Sequence, residues 1–292
     1  MQRIIFSHIA LVGSNLIYAI NYLFAKDVMP EYISPSGFIL FRVIGACIIF
    51  NFIHLLWIKE RLLKIDFLYL IICALFGVII NMLCFFEGLS ITGPINASLI
   101  MITTPLLVYL ISCFLSKEER TYSRLIGVVF GLFGALNLIT NGRVSFQPDN
   151  FGDVLIFCNA MSYAIYLILI KSMMSKYHPI TVLKTLFLIS TIILIPFTSN
   201  EIVISDFQLM PISIFLKFLF VIIFTTCVAY FLNIYAIINL RASTVAFYIY
   251  LQPLLATILS VALGKDVLTW IKLVAALFIF IGVYFVIERR KT

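Results

Sequence analysis

Runs of about twenty apolar residues recur from one end of this chain to the other, the length an α-helix needs to cross the hydrocarbon core of a bilayer. Backbone polar groups find no partner in lipid except one another, so such runs fold as helices and not as open sheet. Ten runs are legible, at about residues 4–25, 35–57, 66–86, 95–115, 122–141, 151–171, 179–198, 212–236, 243–263 and 267–287. Of 292 residues, 63% are hydrophobic and 11% charged, a balance that no water-soluble domain can accommodate. The first run, Ile4–Phe24, has no small-residue cleavage site and resembles the nine that follow, so it reads as a retained span. The expectation is an all-α integral membrane protein with ten transmembrane helices.

The chain also repeats itself. Residues 105–134 fall in register on residues 253–282, 148 positions on. Pro105 matches Pro253, Leu106-Leu107 match Leu254-Leu255, and Ser112 matches Ser260. Lys117 matches Lys265, Thr121 matches Thr269, and Gly134 matches Gly282. Apolar matches arise by chance in so greasy a chain, but Pro, Lys, Thr and Gly in one unbroken register do not. Tyr18-Ala19-Ile20 with Lys26 likewise reads as Tyr163-Ala164-Ile165 with Lys171. The polar stretch Thr140–Asp153 is the natural break, giving repeats at 1–142 and 143–292. Five spans per repeat is an odd number, so the second copy enters the membrane upside down relative to the first. Inverted repeats of this kind build carriers around a central cavity that opens to each side in turn.

The net charge of +7 is placed for topology, not for nucleic acid. With ten spans both termini share a face, and that face takes Arg3, Lys59, Arg61, Lys64, Lys117, Arg120, Arg124, Lys171, Lys176, Lys184, Arg241 and Arg289-Arg290-Lys291. The other face keeps Lys26, Arg143, Lys217, Lys265 and Lys272. The positive-inside rule therefore predicts both termini in the cytoplasm, with the chain in the cell (inner) membrane and the basic surplus against anionic lipid heads.

Residue patterns for covalent or metal chemistry are missing from the sequence. There is no HExxH, GxSxG, Walker loop or GxGxxG, and no TVGYG filter. His8, His54 and His178 are scattered, and the six cysteines lie singly inside spans, where they read as small packing residues. No catalytic residue, metal or cofactor is predicted. The thirteen acidic residues fall in connections or near span ends, so no mid-membrane carboxylate relay for protons is in view. Facilitated transport or exchange fits better.

What remains is a set of polar residues inside spans. Arg42 lies seven residues past Pro35, about 10 Å into its helix at 1.5 Å per residue. At that depth a guanidinium must face protein or water: it either ties neighbouring helices through their carbonyls or meets an anionic group of a solute. Buried amides need partners, so Asn15, Asn81, Asn159 and Asn233 are helix-to-helix glue or cavity lining. Asn15 and Tyr18 share a face of span 1, as Asn159 and Tyr163 do of span 6, which turns all four toward a central cavity. Ser98 and Thr104 precede Pro105 in span 4, Tyr230 is in span 8, and Tyr248 and Gln252 precede Pro253 in span 9. Each proline frees a carbonyl four residues back and permits a bend, so Pro105 and Pro253 are candidate hinges. The tyrosines either stack on a mixed polar and apolar guest or sit as belt residues near the interface.

These residues resemble the drug/metabolite transporter superfamily, EamA-like type. The resemblance lies in Pro35 through Arg42, in Ala97-Ser98 with Pro105-Leu106 and Gly127, Gly131 and Gly134, and in Ala242-Ser243 with Pro253-Leu254, Gly264-Lys265-Asp266 and Gly282. Span 7 has no arginine to match Arg42, and Asp266 stands where the family favours Glu. The resemblance covers essentially the whole chain. It implies a basket of helices with the fifth and tenth more peripheral, and a carrier, often an exporter, of amino acids, metabolites or drugs. Its partners are then a small-molecule solute and membrane lipids. Nucleotide sugars or sugar phosphates are the alternative cargo, but they call for several deep cations, and only Arg42 qualifies. A membrane-embedded lipid enzyme or a channel is the more distant alternative.

Overall fold

The computed structural model describes residues 2–29, 31–92, 94–115, 121–140, 150–204, 210–262, 267 and 269–286. Residues 141–149 of the suggested break Thr140–Asp153, the matched Lys117 and Lys265, Asp266 and both chain ends fall outside that set. Ten helices carry the described residues: α1 (Gln2–Val28), α2 (Pro35–Trp57), α3 (Lys64–Ile91), α4 (Pro94–Met101 continuing as Thr104–Leu115), α5 (Tyr122–Thr140), α6 (Asn150–Met174), α7 (Pro179–Ile204), α8 (Ile212–Asn239), α9 (Ala242–Phe247, Tyr248–Tyr250 and Leu251–Ala262) and α10 (Trp270–Val286). Eight are long and apolar enough to cross a membrane; the apolar stretches of α5 and α10 are shorter, Tyr122–Asn137 and Trp270–Val286. Leu55, Phe114, Phe197 and Trp270 stand more than 70% exposed, which is the surface a lipid-facing helix presents.

Local signals explain the helix starts and breaks. The Ser34 hydroxyl accepts from the Gly37 N–H at 3.2 Å, and Pro35 takes the first helical position of α2, where no N–H is needed. α4 breaks just before Pro105, with the Thr103 N–H turning back to the Ile100 carbonyl at 3.0 Å. α9 tightens to a 3₁₀ turn over Tyr248–Tyr250, just before Pro253. α3 widens to a π turn at Leu75–Ile79, and α8 does so over Val221–Val228. A shift of 148 residues carries the first irregularity of each pair onto the second, so the repeat extends to the defects in the helices.

Packing follows the same rule. α1 lies against α8 as α6 lies against α3; α1 meets α9 as α6 meets α4; α2 pairs with α7 and α5 with α10. Exchanging the two halves maps this pattern onto itself. With five helices in each half, the molecule is a pair of inverted five-helix repeats around a central cavity.

At its glycines the α5–α10 contact has no room for a side chain. A Cβ on Gly127 would lie 2.8 Å from the Gly282 carbonyl oxygen, and one on Gly134 would lie 2.7 Å from that of Ala275. This glycine stripe therefore joins the two repeats within one subunit.

Candidate functional site

α1, α2, α3, α4, α6, α8 and α9 enclose a cavity with about 730 Å³ of empty space, its mouth included. Asn15, Tyr18 and Asn21 line it from α1, and Arg42 from α2. Asn81, Met82, Phe85 and Phe86 come from α3, Met101 from α4, and Asn159 and Tyr163 from α6. Thr225, Tyr230 and Asn233 come from α8, and Val245, Ile249 and Gln252 from α9. No lining residue comes from α5 or α10, which pack outside it.

The π turn of α3 lies just before the residues this helix gives to the lining. A π turn leaves carbonyls out of the regular ladder, and side chains of other helices take them. The Ser162 hydroxyl donates to the Phe76 carbonyl at 2.6 Å, and the Tyr230 hydroxyl to the Gly77 carbonyl at 3.0 Å. One turn on, the Asn159 amide donates to the Asn81 carbonyl at 2.6 Å. Gly77 is required here: a Cβ would sit 2.2 Å from the Tyr166 ring. A side-chain network joins α1, α8 and α9. Ser14 donates to Asn233 at 3.0 Å, Asn233 donates to the Tyr18 hydroxyl at 3.1 Å, and Gln252 donates to Asn15 at 2.9 Å.

Arg42 joins the lining from α2. It is 3% exposed, and its Nε donates to the Thr226 hydroxyl at 2.9 Å. Thr226 in turn donates to the Val221 carbonyl at 3.0 Å, five residues back in the π stretch of α8. The guanidinium carbon lies 4.6 Å from the centre of the Phe86 ring and 5.7 Å from that of Phe38, so two aromatic faces support the charge. Nη1 has no hydrogen-bond partner among the described residues. Of the two sequence readings, neither alone describes it: the side chain ties α2 to α8 through a hydroxyl and is also a lining residue of the cavity, with a buried donor left unpartnered. Asn21 Oδ1, Asn159 Oδ1 and the Thr225 hydroxyl are likewise buried, unpartnered and on the lining. A buried polar atom without a partner is costly, and four such atoms belong to residues that line this one cavity.

Nine of the twelve residues singled out from sequence meet on this lining: Asn15, Tyr18, Arg42, Asn81, Asn159, Tyr163, Tyr230, Asn233 and Gln252. Ser98, Thr104 and Tyr248 stand outside it. Thr104 is fully buried beside the α4 break, and the Tyr248 hydroxyl pairs with His8 Nδ1 at 2.7 Å. Pro105 and Pro253 sit at the two breaks, off the lining. Asn21 and Thr225 add further polar residues to the lining. Met82, Phe85, Phe86, Met101, Val245 and Ile249 carried no sequence signal that set them apart from the general apolar background.

An inverted pair of helical repeats around one polar, single-cation cavity is the architecture of a membrane transporter. Comparison with known proteins agrees: the chain matches the EamA-like transporter family over residues 5–140 and again over 150–288, and it belongs to that family, within the drug/metabolite transporter superfamily. It is 25% identical to the uncharacterized transporter YyaM of Bacillus subtilis (strain 168), across 94% of this chain and 92% of that one. An uncharacterized transporter of Archaeoglobus fulgidus is 29% identical across 86% and 87% of the two chains. A solved crystal structure superposes with a TM-score of 0.76 over 97% of this chain and 98% of the other, at 17% identity, which speaks for the fold alone.

Proposed function

We propose that the protein is a secondary transporter that moves a small amphiphilic metabolite, such as an amino acid or a drug-like amphiphile, out across the cell membrane by alternating access. The observation that carries this reading is Arg42, a buried guanidinium whose Nη1 has no partner among the described residues, as a lining residue of a cavity bounded by helices of both repeats. A guanidinium held by one hydroxyl and two rings is ready for an anionic group. Met82, Phe85, Phe86 and Met101 supply the apolar surface for the rest of the solute. In this reading residues 1–142 and 143–292 are the repeats, both termini are cytoplasmic, and Pro105 and Pro253 serve as hinges. Ser98, Thr104 and Tyr248, close to those breaks, belong to the pathway. The chemistry is carriage and not catalysis.

A thermal-shift screen of the purified protein against a metabolite panel tests it. A solute at about 100 times its Kd adds about 2.7 kcal/mol of stability. Carboxylate-bearing amphiphiles are expected to raise the melting temperature of the native protein and leave Arg42→Ala unmoved. Stabilisation by nucleotide sugars or sugar phosphates alone would overturn the solute class, and no shift with any compound would count against the cavity as a binding site.

A further inference from the structure

The cavity carries a positive charge that no side chain balances. Among the described residues its lining includes Arg42 and no Asp, Glu or Lys. The electrostatic neighbours of the guanidinium are Tyr18, Tyr230 and Cys227, two hydroxyls and a thiol, with no carboxylate among them. Phe38 and Phe86 turn ring faces toward it, which helps the charge without cancelling it.

Four other cations show how this chain holds a positive charge elsewhere. Lys176 meets Asp66 at 2.9 Å, and Lys217 meets Asp27. Lys171 donates to the Leu240 carbonyl at 3.1 Å, and Lys272 to the Val267 carbonyl at 2.9 Å. Arg42, at 3% exposure, has the Thr226 hydroxyl instead, whose own proton already goes to the Val221 carbonyl. Taking a charge out of water is repaid by an opposite charge and by hydrogen bonds to its remaining protons. At Arg42 the protein supplies no opposite charge, and it leaves the Nη1 donor unpartnered among the described residues.

The neighbouring donors say what kind of ion completes the site. The Tyr18 hydroxyl accepts from Asn233 at 3.1 Å, which leaves its own proton to give. The Thr225 hydroxyl is buried without a partner and belongs to the same lining. Guanidinium and hydroxyl protons together suit an anion. One cation balances one negative charge. Met82, Phe85, Phe86 and Met101 make the surroundings apolar, which favours an ion that sheds water readily over a strongly hydrated divalent one. Those requirements describe a halide. The unpartnered oxygens of Asn21 and Asn159 are acceptors, and they suit the donor groups of an organic solute rather than the ion.

We propose that Arg42 binds a chloride ion as an exchangeable counterion, with the Tyr18 hydroxyl as a second donor, and that an anionic solute displaces it. The displacement rests on the transport reading; the binding of the ion does not. Solute and chloride then compete for a single positive charge. The cavity holds one negative charge at a time, and a monoanionic solute entering as chloride leaves keeps the charge of the occupied site constant.

Chloride NMR on the purified protein in a non-ionic detergent tests the ion site without any solute. Exchange with a protein site broadens the signal of the free ion. The native protein is expected to show a saturable broadening that bromide relieves and sulfate at equal ionic strength does not. Arg42→Met should lose the saturable part while still melting cooperatively. Tyr18→Phe, which keeps the charge and the packing, should weaken chloride binding several-fold. Lys217→Gln, at a cation off the cavity lining, should leave it unchanged. Equal saturable broadening in Arg42→Met and the native protein overturns the site. Native affinity in Tyr18→Phe overturns the second donor, and relief by sulfate overturns the halide class.

The solute arm uses a compound that stabilises the protein in the thermal screen. At constant ionic strength, chloride at about ten times its dissociation constant should raise that compound's apparent Kd about tenfold. An unchanged Kd beside a clear chloride signal overturns displacement alone. Arg42-dependent stabilisation by the compound without any saturable chloride broadening overturns the counterion and leaves the transport reading standing. A chloride signal with no stabilising compound in the panel supports the ion site and counts against the transport reading.

Discussion

Arg42 concentrates the argument at the scale of single residues. Burying a guanidinium with one hydroxyl partner is costly, and an apolar side chain of similar size escapes that desolvation penalty. Arg42→Met is therefore expected to melt at or above the native temperature in a detergent thermal-denaturation assay while losing solute-induced stabilisation. A large drop in melting temperature would make the residue structural first. Thr226→Val acts in the opposite sense: it strands Nε, at a cost of about 1–3 kcal/mol, measured as a lowered melting temperature. The depth of Arg42 was legible from its distance to Pro35. Its partner was not, because Thr226 lies 184 positions away on a helix whose register nothing in the sequence sets against α2. The same holds for Asn21 and Thr225: their polarity was visible, their direction was not.

At the scale of elements, two kinds of defect interrupt helices that line the cavity, and they differ in how well sequence reveals them. Pro105 and Pro253 announce the breaks in α4 and α9 because proline has no N–H to give. The π turns of α3 and α8 have no such marker. Leu75-Phe76-Gly77-Val78-Ile79 reads as ordinary apolar helix, and the turn is stabilised by Ser162 and Tyr230 reaching its carbonyls from α6 and α8. Tyr230→Phe should leave the Gly77 carbonyl without that donor and cost about 1–3 kcal/mol. Gly77→Ala should cost a similar amount, about 1–3 kcal/mol, as the Tyr166 ring is forced off its place. Thermal melts check both. An unchanged melting temperature in Tyr230→Phe would mean that the π turn does not depend on this bond. α5 and α10 show a further limit of sequence: Gly127, Gly131 and Gly134 stand at helical spacing in α5, and only the packing says that they join the two repeats.

For the whole molecule, the doubled Pro–Lys–Thr–Gly register and the ten apolar runs were enough to foresee ten helices in two repeats. Which helices of one repeat pack against which of the other was not foreseeable, because that depends on which faces touch. Ion pairs such as Asp66 with Lys176 and Asp27 with Lys217 are invisible as pairs until the fold brings them together. An even helix count carries its own prediction: cysteines placed at the two chain ends should react with a membrane-impermeant thiol reagent from the same side, the cytoplasmic one. Labelling from opposite sides would break the inverted-repeat topology. The most direct test of the central claim is counterflow in liposomes preloaded with a solute that stabilises the purified protein. The native protein is expected to drive transient, saturable accumulation of labelled solute, and Arg42→Ala to fall to the level of empty liposomes. Flux that neither saturates nor responds to Arg42→Ala would contradict a carrier that holds its solute at this cavity.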